Sequence, residues 1–345
     1  MQSVKKILHL PNRKNSKLTY YTVNFVRYIT PGIISRILRD PTLAKYEKLD
    51  DSIKKTITDR VNYYNKLSVP VIFDKEKLID DLIKSDTTIP LGKLKLKTPI
   101  GGKIPNSTYV LDSYSYMRYF KKNLIASFLF GDITEVPKIP SFVKSRPIEG
   151  ENANSVLLPL DKVRHFTTVN DRLKFGEKKD MLIGRAYVDQ PHRIKFWEMY
   201  FNHPKCNLGN INPNLKDHEE WRVKPISIDE HLKYKFILCI EGNDVASNLK
   251  WVMSSNSLAV MPKPTYETWF MEGNLIADYH YVEIKKDYSD LEEKLNYFIA
   301  HPQEAELISF HANEYVKKIL DNKLEKLIAL MVIKKYFLST GQIVK

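Results

Sequence analysis

Small polar and basic side chains follow the apolar run "YKFILC", in the stretch "EGNDVASNLKW". Gly242 and Asn243 tolerate the positive φ that a tight turn requires, and we expect Asp244 to open a helix. A hydroxyl, an amide and an ammonium group then fall in the first turns of that helix: Ser247, Asn248 and Lys250. Backbone N–H groups at a helix start favour an anion. The pattern therefore predicts a phosphate cradle or, equally, an ordinary capped helix, and it matches neither a Walker loop nor G-x-G-x-x-G.

Two arginines occupy a second strand end, in "LIGRAYVDQPHRIKFW". Arg185 directly follows a predicted strand, and Arg193 opens the next helix. The guanidinium fork matches phosphate oxygens, so two arginines suit a diphosphate, although ligand-free surface arginines fit the same pattern. Loops that follow parallel strands emerge at one edge of a sheet. We expect both strand ends to meet there, which favours the phosphate interpretation.

Three further residues are candidates for acid–base or hydroxyl chemistry. Asp132 follows Gly131 at the predicted end of the helix "SYMRYFKKNLIASFLFGD", where a carboxylate suits a general base, or simply a turn. Glu267 in "PTYETWF" is a candidate for binding a sugar or ribose hydroxyl, and both Glu267 and His280 rank below the arginines as donor-site candidates. The chain has no D-x-D motif and no histidine spacing typical of zinc, so we expect no metal.

From about residue 178, short apolar runs alternate with amphipathic runs. Strands that alternate with helices predict a parallel sheet with both faces covered. We expect an α/β protein of two lobes. An N-terminal acceptor-side domain would span 1–175, with a helix at about 315–345 packing back on it. A C-terminal nucleotide-sugar-binding domain would span 176–314.

Charge indicates an anionic partner, since 54 Lys and Arg face 41 Asp and Glu, a net charge of +13. Basic residues strongly outnumber acids in residues 1–46, where "YYTVNFVRYITPGIISRILRD" mixes aromatics, Ile and Arg. This mixture suits an anionic membrane surface, although a basic surface packed on the domain fits it too. No apolar run reaches the roughly 18 residues of a membrane span. Aromatic residues fall largely at apolar helix positions, which argues against a nucleic-acid-binding protein. Two cysteines are too few for a disulfide framework, which suits a reducing cytoplasm.

Four blocks in order carry a family resemblance: "VKSRPIEGENANSVLLPLDKVRHF", "GRAYVDQPHR", "EGNDVASNLKWVMSSNSLAVMPKPTYETWFMEG" and "YHYVEIKKDYSDLEEKLNYF". Together they resemble glycosyltransferase family 90, chiefly its bacterial lipopolysaccharide branch, over residues 120–335. The resemblance implies a GT-B architecture, in which two Rossmann-like lobes flank the active-site cleft and a helical C-terminal tail follows. It also implies metal-independent transfer from a UDP-sugar with inversion.

Matching positions carry the family's roles onto this chain. Asp132 falls at the position of the family's general base. Arg185 and Arg193 match the basic block that faces the donor phosphates, and the first of the four quoted blocks matches the acceptor side. The second donor block corresponds to Gly242, Ser247 and Lys250, and the acceptor-side residues are Lys144, Ser145 and Arg146. Asn248 stands where eukaryotic members have an arginine, so the neutralisation of the diphosphate differs here.

The resulting hypothesis is a hexosyltransferase that uses UDP-glucose or UDP-galactose and no cofactor. Its acceptor would be a lipid-linked oligosaccharide of a lipopolysaccharide core or related surface glycan. It would act in the cytoplasm, peripherally at the inner face of the bacterial inner membrane. The alternative is a non-catalytic, membrane-peripheral assembly factor on a degenerate transferase fold.

Overall fold

The computed structural model describes residues 16–68, 72–97, 104–214 and 217–344, so the first 15 residues of the predicted basic segment lie outside the described residues. The α-helices are α1 (Lys17–Ile29), α2 (Gly32–Ile37), α3 (Arg39–Leu43), α4 (Asp51–Tyr64), α5 (Ile72–Lys84), α6 (Ser107–Met117), α7 (Lys162–His165), α8 (Pro191–Tyr200), α9 (Ile228–His231), α10 (Leu249–Val252), α11 (Leu291–Ala300), α12 (Pro302–Lys317) and α13 (Asn322–Ser339). The strands are β1 (Thr88–Pro90), β2 (Ile125–Phe128), β3 (Ser141–Val143), β4 (Ser145–Pro147), β5 (Ser155–Leu157), β6 (Lys179–Ala186), β7 (Cys206–Asn210), β8 (Tyr234–Leu238), β9 (Leu258–Met261), β10 (Tyr266–Thr268) and β11 (Val282–Glu283).

By its internal contacts the chain divides into two compact units. Among the described residues, unit 1 comprises His165–Thr265 and Glu272–Ile319. Unit 2 comprises Asn15–Arg164, Tyr266–Met271 and Leu320–Lys345. Nothing in the sequence pattern predicted that the six-residue segment Tyr266–Met271 would belong to unit 2.

Unit 1 is built on a five-stranded sheet in the order β11-β9-β8-β6-β7, and every neighbouring pair is parallel. All five residues of β8 are buried because strands and helices cover it on both sides. Phe236 of β8 and Leu182 of β6 belong to a core that includes Trp197 of α8 and Leu295 of α11. The predicted parallel sheet with covered faces is confirmed.

Unit 2 contains a second sheet in the order β1-β2-β3-β5, in which β2, β3 and β5 are parallel and β1 is antiparallel. Helix α13 covers one face of this sheet, where the ring of Tyr336 lies 4.4 Å from that of Phe142. The chain is therefore a mixed α/β protein with parallel sheets.

One helix prediction in unit 2 is wrong. The stretch "SYMRYFKKNLIASFLFGD" is not one helix, because α6 ends at Met117 and "IASF" forms β2. The connection from α6 to β2 consists of turns, and the backbone N–H groups of Leu91 and Gly92 bond the carbonyls of Leu124 and Lys122 within it. Burial of β2 between β1 and β3 outweighs its helical periodicity. Asp132 therefore follows a strand rather than a helix.

The segment Tyr266–Met271 is held in unit 2 by pairing, charge and stacking. Strand β10 pairs antiparallel with β4, which sets Glu267 opposite Arg146 in the register. The Arg146 Nε atom donates to Glu267 Oε1 at 2.8 Å, and both side chains are almost completely buried. Trp269 stacks on Tyr64 with ring centres 3.7 Å apart. A six-residue excursion of the chain thus contributes core residues to unit 2.

Removing one charge of the Arg146–Glu267 pair tests this anchor. We expect Glu267→Gln to lower the free energy of unfolding by about 3–5 kcal/mol, because the Arg146 guanidinium then stays buried without its counter-charge. Urea denaturation measures the loss, and Glu135→Gln, on an exposed carboxylate of the same unit, is the control. A loss of under about 1 kcal/mol, typical of surface pairs, would contradict the buried ion pair.

Candidate functional site

The loops that follow β6 and β8 meet at the carboxyl edge of the unit 1 sheet, as the sequence predicted. Arg193, in the first turn of α8, joins them with three hydrogen bonds. Its Nε and Nη2 atoms donate to the carbonyls of Glu241 and Ile240 at 2.9 and 3.0 Å, and its Nη1 donates to the carbonyl of Tyr187 at 2.7 Å. The arginine therefore brings a positive charge to this edge while its N–H groups bind the backbone.

The predicted helix start at Asp244 is wrong. Helix α10 begins at Leu249 and has four residues, and the stretch from Asn243 to Asn248 consists of bends and turns. The Asn248 side chain donates to the carbonyl of Leu238 at 2.9 Å, which holds the stretch against the end of β8. This arrangement removes the long helix whose dipole was expected to face a phosphate.

Gly242 and Asn243 also differ from their predicted conformation, since neither has a positive φ. Gly242 instead allows a close approach: a Cβ atom there would lie 3.2 Å from Arg193 Nη2. Asn243 is exposed, and its Oδ1 accepts a hydrogen bond from Gln190 at 3.1 Å. Ser247 is half-buried in the same stretch. The amide groups of Asn243 and Gln190 therefore lie together at this edge.

Two basic residues predicted to bind the donor, Arg185 and Lys250, bond other residues of unit 1 instead. Arg185 lies inside β6, and its guanidinium turns back along the strand to the carbonyl and Oδ1 of Asn207, both at 2.7 Å. Asn207 is the register partner of Ile183, so the Arg185 guanidinium points away from the carboxyl edge. Burial lowers the pKa of Arg185. The Nζ atom of Lys250 lies 2.6 Å from Glu272 Oε1 in a buried pair.

Sequence reasoning missed four residues at this edge: Gln190, His192, Glu241 and Thr265. The His192 ring lies 2.8 Å from the Glu241 carbonyl, and the Glu241 carboxylate accepts from the backbone N–H and hydroxyl of Thr265 at 2.9 and 2.5 Å. The detectable signal was their position in the connections that follow apolar strand runs. Thr265 follows β9, so the connections that follow three neighbouring strands, β6, β8 and β9, meet at one edge.

His280 lies elsewhere in unit 1. It precedes β11, and because all five strands are parallel, that places it at the amino edge of the sheet. Its Nδ1 accepts the backbone N–H of Ile276 at 3.0 Å. Burial, aided by Lys318 and His311, lowers the pKa of His280 to about 4. The topology thus separates His280 from the donor-site loops with which it was grouped.

A second group of charged residues lies at the carboxyl edge of the unit 2 sheet. Asp132 follows β2, Lys144 follows β3, and Arg164 follows β5 in α7. Lys144 Nζ donates to Asp132 Oδ1 at 2.5 Å, and Arg164 Nη1 lies 3.9 Å from the same oxygen. The Lys144 side chain is 1% exposed, whereas that of Asp132 is 26% exposed. A buried ammonium therefore holds a carboxylate that reaches solvent and is able to accept a proton.

The other two predicted acceptor residues lie inside unit 2. Ser145 is fully buried, and its hydroxyl donates at 3.4 Å to the carbonyl of Ile133. Arg146 is fully buried and bonds the carbonyls of Tyr63 and Ser155 besides Glu267. Both residues belong to β4, the strand that follows Lys144. Glu267, predicted to bind a donor hydroxyl, is the buried partner of Arg146.

Across the described ranges, no three His, Cys, Asp or Glu side chains are grouped so that they could hold a metal ion. No helix in these ranges is long and apolar enough to cross a membrane.

Comparison with known proteins adds two relatives and one family model. The model described as "Glycosyl transferase family 90" matches residues 170–336. A protein described as "O-glucosyltransferase LpsA", from Dichelobacter nodosus, is 40% identical over 300 residues, which cover 86% of this chain and 87% of that protein. "Uncharacterized protein 179R" of Invertebrate iridescent virus 6 is 31% identical over 133 residues, 36% of this chain and 11% of that protein. The bacterial match spans most of both chains.

Protonation of His280 provides a pH test of its buried position. A histidine whose pKa falls from 6.5 to about 4 on folding binds protons more readily in the unfolded chain. Its contribution to stability is therefore complete above pH 6.5 and declines as the pH falls toward 4. We expect His280→Gln to flatten the dependence of the urea midpoint on pH in this window. Equal slopes in His280→Gln and wild type would contradict the burial of a neutral His280.

Proposed function

The chain belongs to glycosyl transferase family 90 and is a glycosyltransferase, and we propose that it moves a hexose from a UDP-sugar to a glycan hydroxyl with inversion. We favour glucose over galactose as the transferred sugar, because the bacterial relative is described as an O-glucosyltransferase. The acceptor would be a lipid-linked core oligosaccharide of lipopolysaccharide or a related surface glycan, at the inner face of the inner membrane. The reaction would need no metal.

One observation carries the mechanism: a solvent-reaching carboxylate, Asp132, is held by the buried ammonium of Lys144. Asp132 takes the proton of the acceptor hydroxyl as that oxygen attacks the anomeric carbon. The bond from this carbon to the UDP oxygen breaks at the same time, and UDP leaves with the electron pair. The Lys144 ammonium, bonded to Oδ1, orients the carboxylate that receives the proton.

The donor is assigned to the carboxyl edge of the unit 1 sheet. Arg193 brings a positive charge there, and Asn243 and Ser247 offer amide and hydroxyl groups. A fixed positive charge stabilises the negative charge that grows on a leaving diphosphate. Arg185 and Lys250 are bound to other groups, so they support the fold of unit 1 in this proposal. We therefore propose the donor for unit 1 and the base for unit 2.

Replacing the base separates chemistry from donor binding. We expect Asp132→Asn to slow transfer from UDP-glucose by about 10²-fold or more, because the amide cannot accept the proton. UDP binding, measured as a shift in melting temperature, should stay within error of wild type. Glu135→Gln makes the same chemical change three residues along the same loop and should keep wild-type transfer.

Radiolabelled transfer to a purified core oligosaccharide, with and without EDTA, measures these rates. Wild-type transfer that survives EDTA agrees with the proposal, and loss in EDTA that Mg²⁺ or Mn²⁺ restores would contradict metal independence. Full activity of Asp132→Asn would show that Asp132 is not the base. A protein that neither transfers any hexose nor binds UDP would fit the non-catalytic alternative.

A further inference from the structure

Helices α1 and α2 of unit 2 turn polar side chains inward and apolar side chains outward. Asn24 of α1 is 4% exposed and Ser35 of α2 is 7% exposed. The large apolar residues of the same segment lie in solvent, with exposures from 40% to 79%: Leu18, Tyr21, Val23, Phe25, Val26, Ile29, Ile33, Ile34, Ile37 and Leu38. A helix on a water-exposed surface shows the opposite arrangement.

The inward stripe of α1 explains how an inverted helix stays docked. Tyr20, Asn24 and Tyr28 are spaced four residues apart and share one face. The Tyr20 hydroxyl donates to the carbonyl of Thr108, and the Tyr28 ring lies 5.1 Å from the ring of Tyr114 on α6. The helix is therefore attached through hydrogen-bonding aromatics.

The other face of α1 carries Leu18, Phe25 and Ile29, at seven- and four-residue spacing. These positions form a continuous apolar stripe. Helix α2 adds three exposed isoleucines: Ile33, Ile34 and Ile37. Contiguous apolar patches of this kind mark an interaction site on a protein surface.

The charges around this surface identify its partner. Lys17, Arg27 and Arg36 lie on α1 and α2, and no acidic residue occurs between Lys17 and Arg39. Lys17 and Arg27 are exposed. Isoleucine and phenylalanine flanked by cations are suited to the headgroup boundary of an anionic bilayer, where apolar chains enter the acyl region and cations meet lipid phosphates.

We propose that α1 and α2 form a lipid-binding surface that lies in the plane of an anionic bilayer. Helix α1 has 13 residues, which suits an in-plane position. This inference rests on the proposed function, because the surface would keep the enzyme beside a lipid-linked acceptor. Its test requires no turnover, so a failed transfer assay and a failed lipid assay are distinguishable.

Sedimentation with sucrose-loaded vesicles tests the proposal on the full chain. We expect wild-type protein to bind vesicles of phosphatidylcholine with phosphatidylglycerol, and to bind pure phosphatidylcholine vesicles more weakly. The triple variant Leu18→Gln, Phe25→Gln, Ile29→Gln keeps the charge and the helix propensity of α1. We expect its affinity for the anionic vesicles to fall by at least about tenfold, because three apolar side chains no longer enter the acyl region.

A matched control removes the same number of exposed apolar side chains elsewhere: Ile83→Gln, Ile276→Gln, Leu307→Gln. It should bind vesicles as wild type does. Circular dichroism melting checks that both triple variants fold, which their exposed positions favour. Wild-type affinity in the α1 variant would overturn the proposal. So would absence of wild-type vesicle binding, and a concentration-dependent dimer that the α1 variant abolishes would then show that a second copy covers the surface.

Discussion

The buried ion pair between Arg146 and Glu267 determines much of how this chain is arranged. The two residues lie 121 positions apart, and the pair is almost completely removed from solvent. A buried charge is costly without its partner, so the chain must return to unit 2 at Tyr266–Met271 whenever β4 is in place. Trp269 then stacks on Tyr64, and Glu325 of α13 accepts two hydrogen bonds from Arg60.

The ion pairs that support the fold differ from the Asp132–Lys144 pair in the exposure of their side chains. Lys250 pairs with Glu272, and Lys178 with Asp171, with side chains at most 2% exposed. Asp132 differs because only its partner, Lys144, is buried, while its own side chain reaches solvent. A carboxylate in that position is oriented by the protein and still open to a substrate. This asymmetry is the physical reason to assign the chemistry to Asp132.

Local patterns predicted the framework better than they predicted the site. The apolar runs of β6 and β8 and the helix from Pro191 were recognisable because burial on both faces leaves a continuous hydrophobic signal. The same signal misled at "IASF", since a short apolar run fits a helix or a strand until its sheet neighbours are known. The length of helix α10 was overestimated, because hydrophobic periodicity does not reveal the hydrogen bond from the Asn248 side chain to the Leu238 carbonyl.

Site residues were recognised as types, whereas their partners were not. Arg146 and Glu267 were both placed at a ligand site, yet each is the partner of the other. Arg185 was placed by its position after an apolar run, but its side chain turns back toward Asn207. Asp132 and Lys144 were both named, and their 2.5 Å contact is what the structure adds. Side-chain direction and distant pairing depend on tertiary packing, which single-sequence patterns do not contain.

The configuration of the new glycosidic bond tests the central claim most directly. UDP-glucose carries an α-linked sugar, so one displacement assisted by Asp132 must give a β-linked product. Proton NMR of the isolated product resolves the two anomers through the coupling of the anomeric proton. A β linkage is the predicted result. An α linkage would contradict a single displacement, and with it the assignment of Asp132 as the base that activates the acceptor hydroxyl.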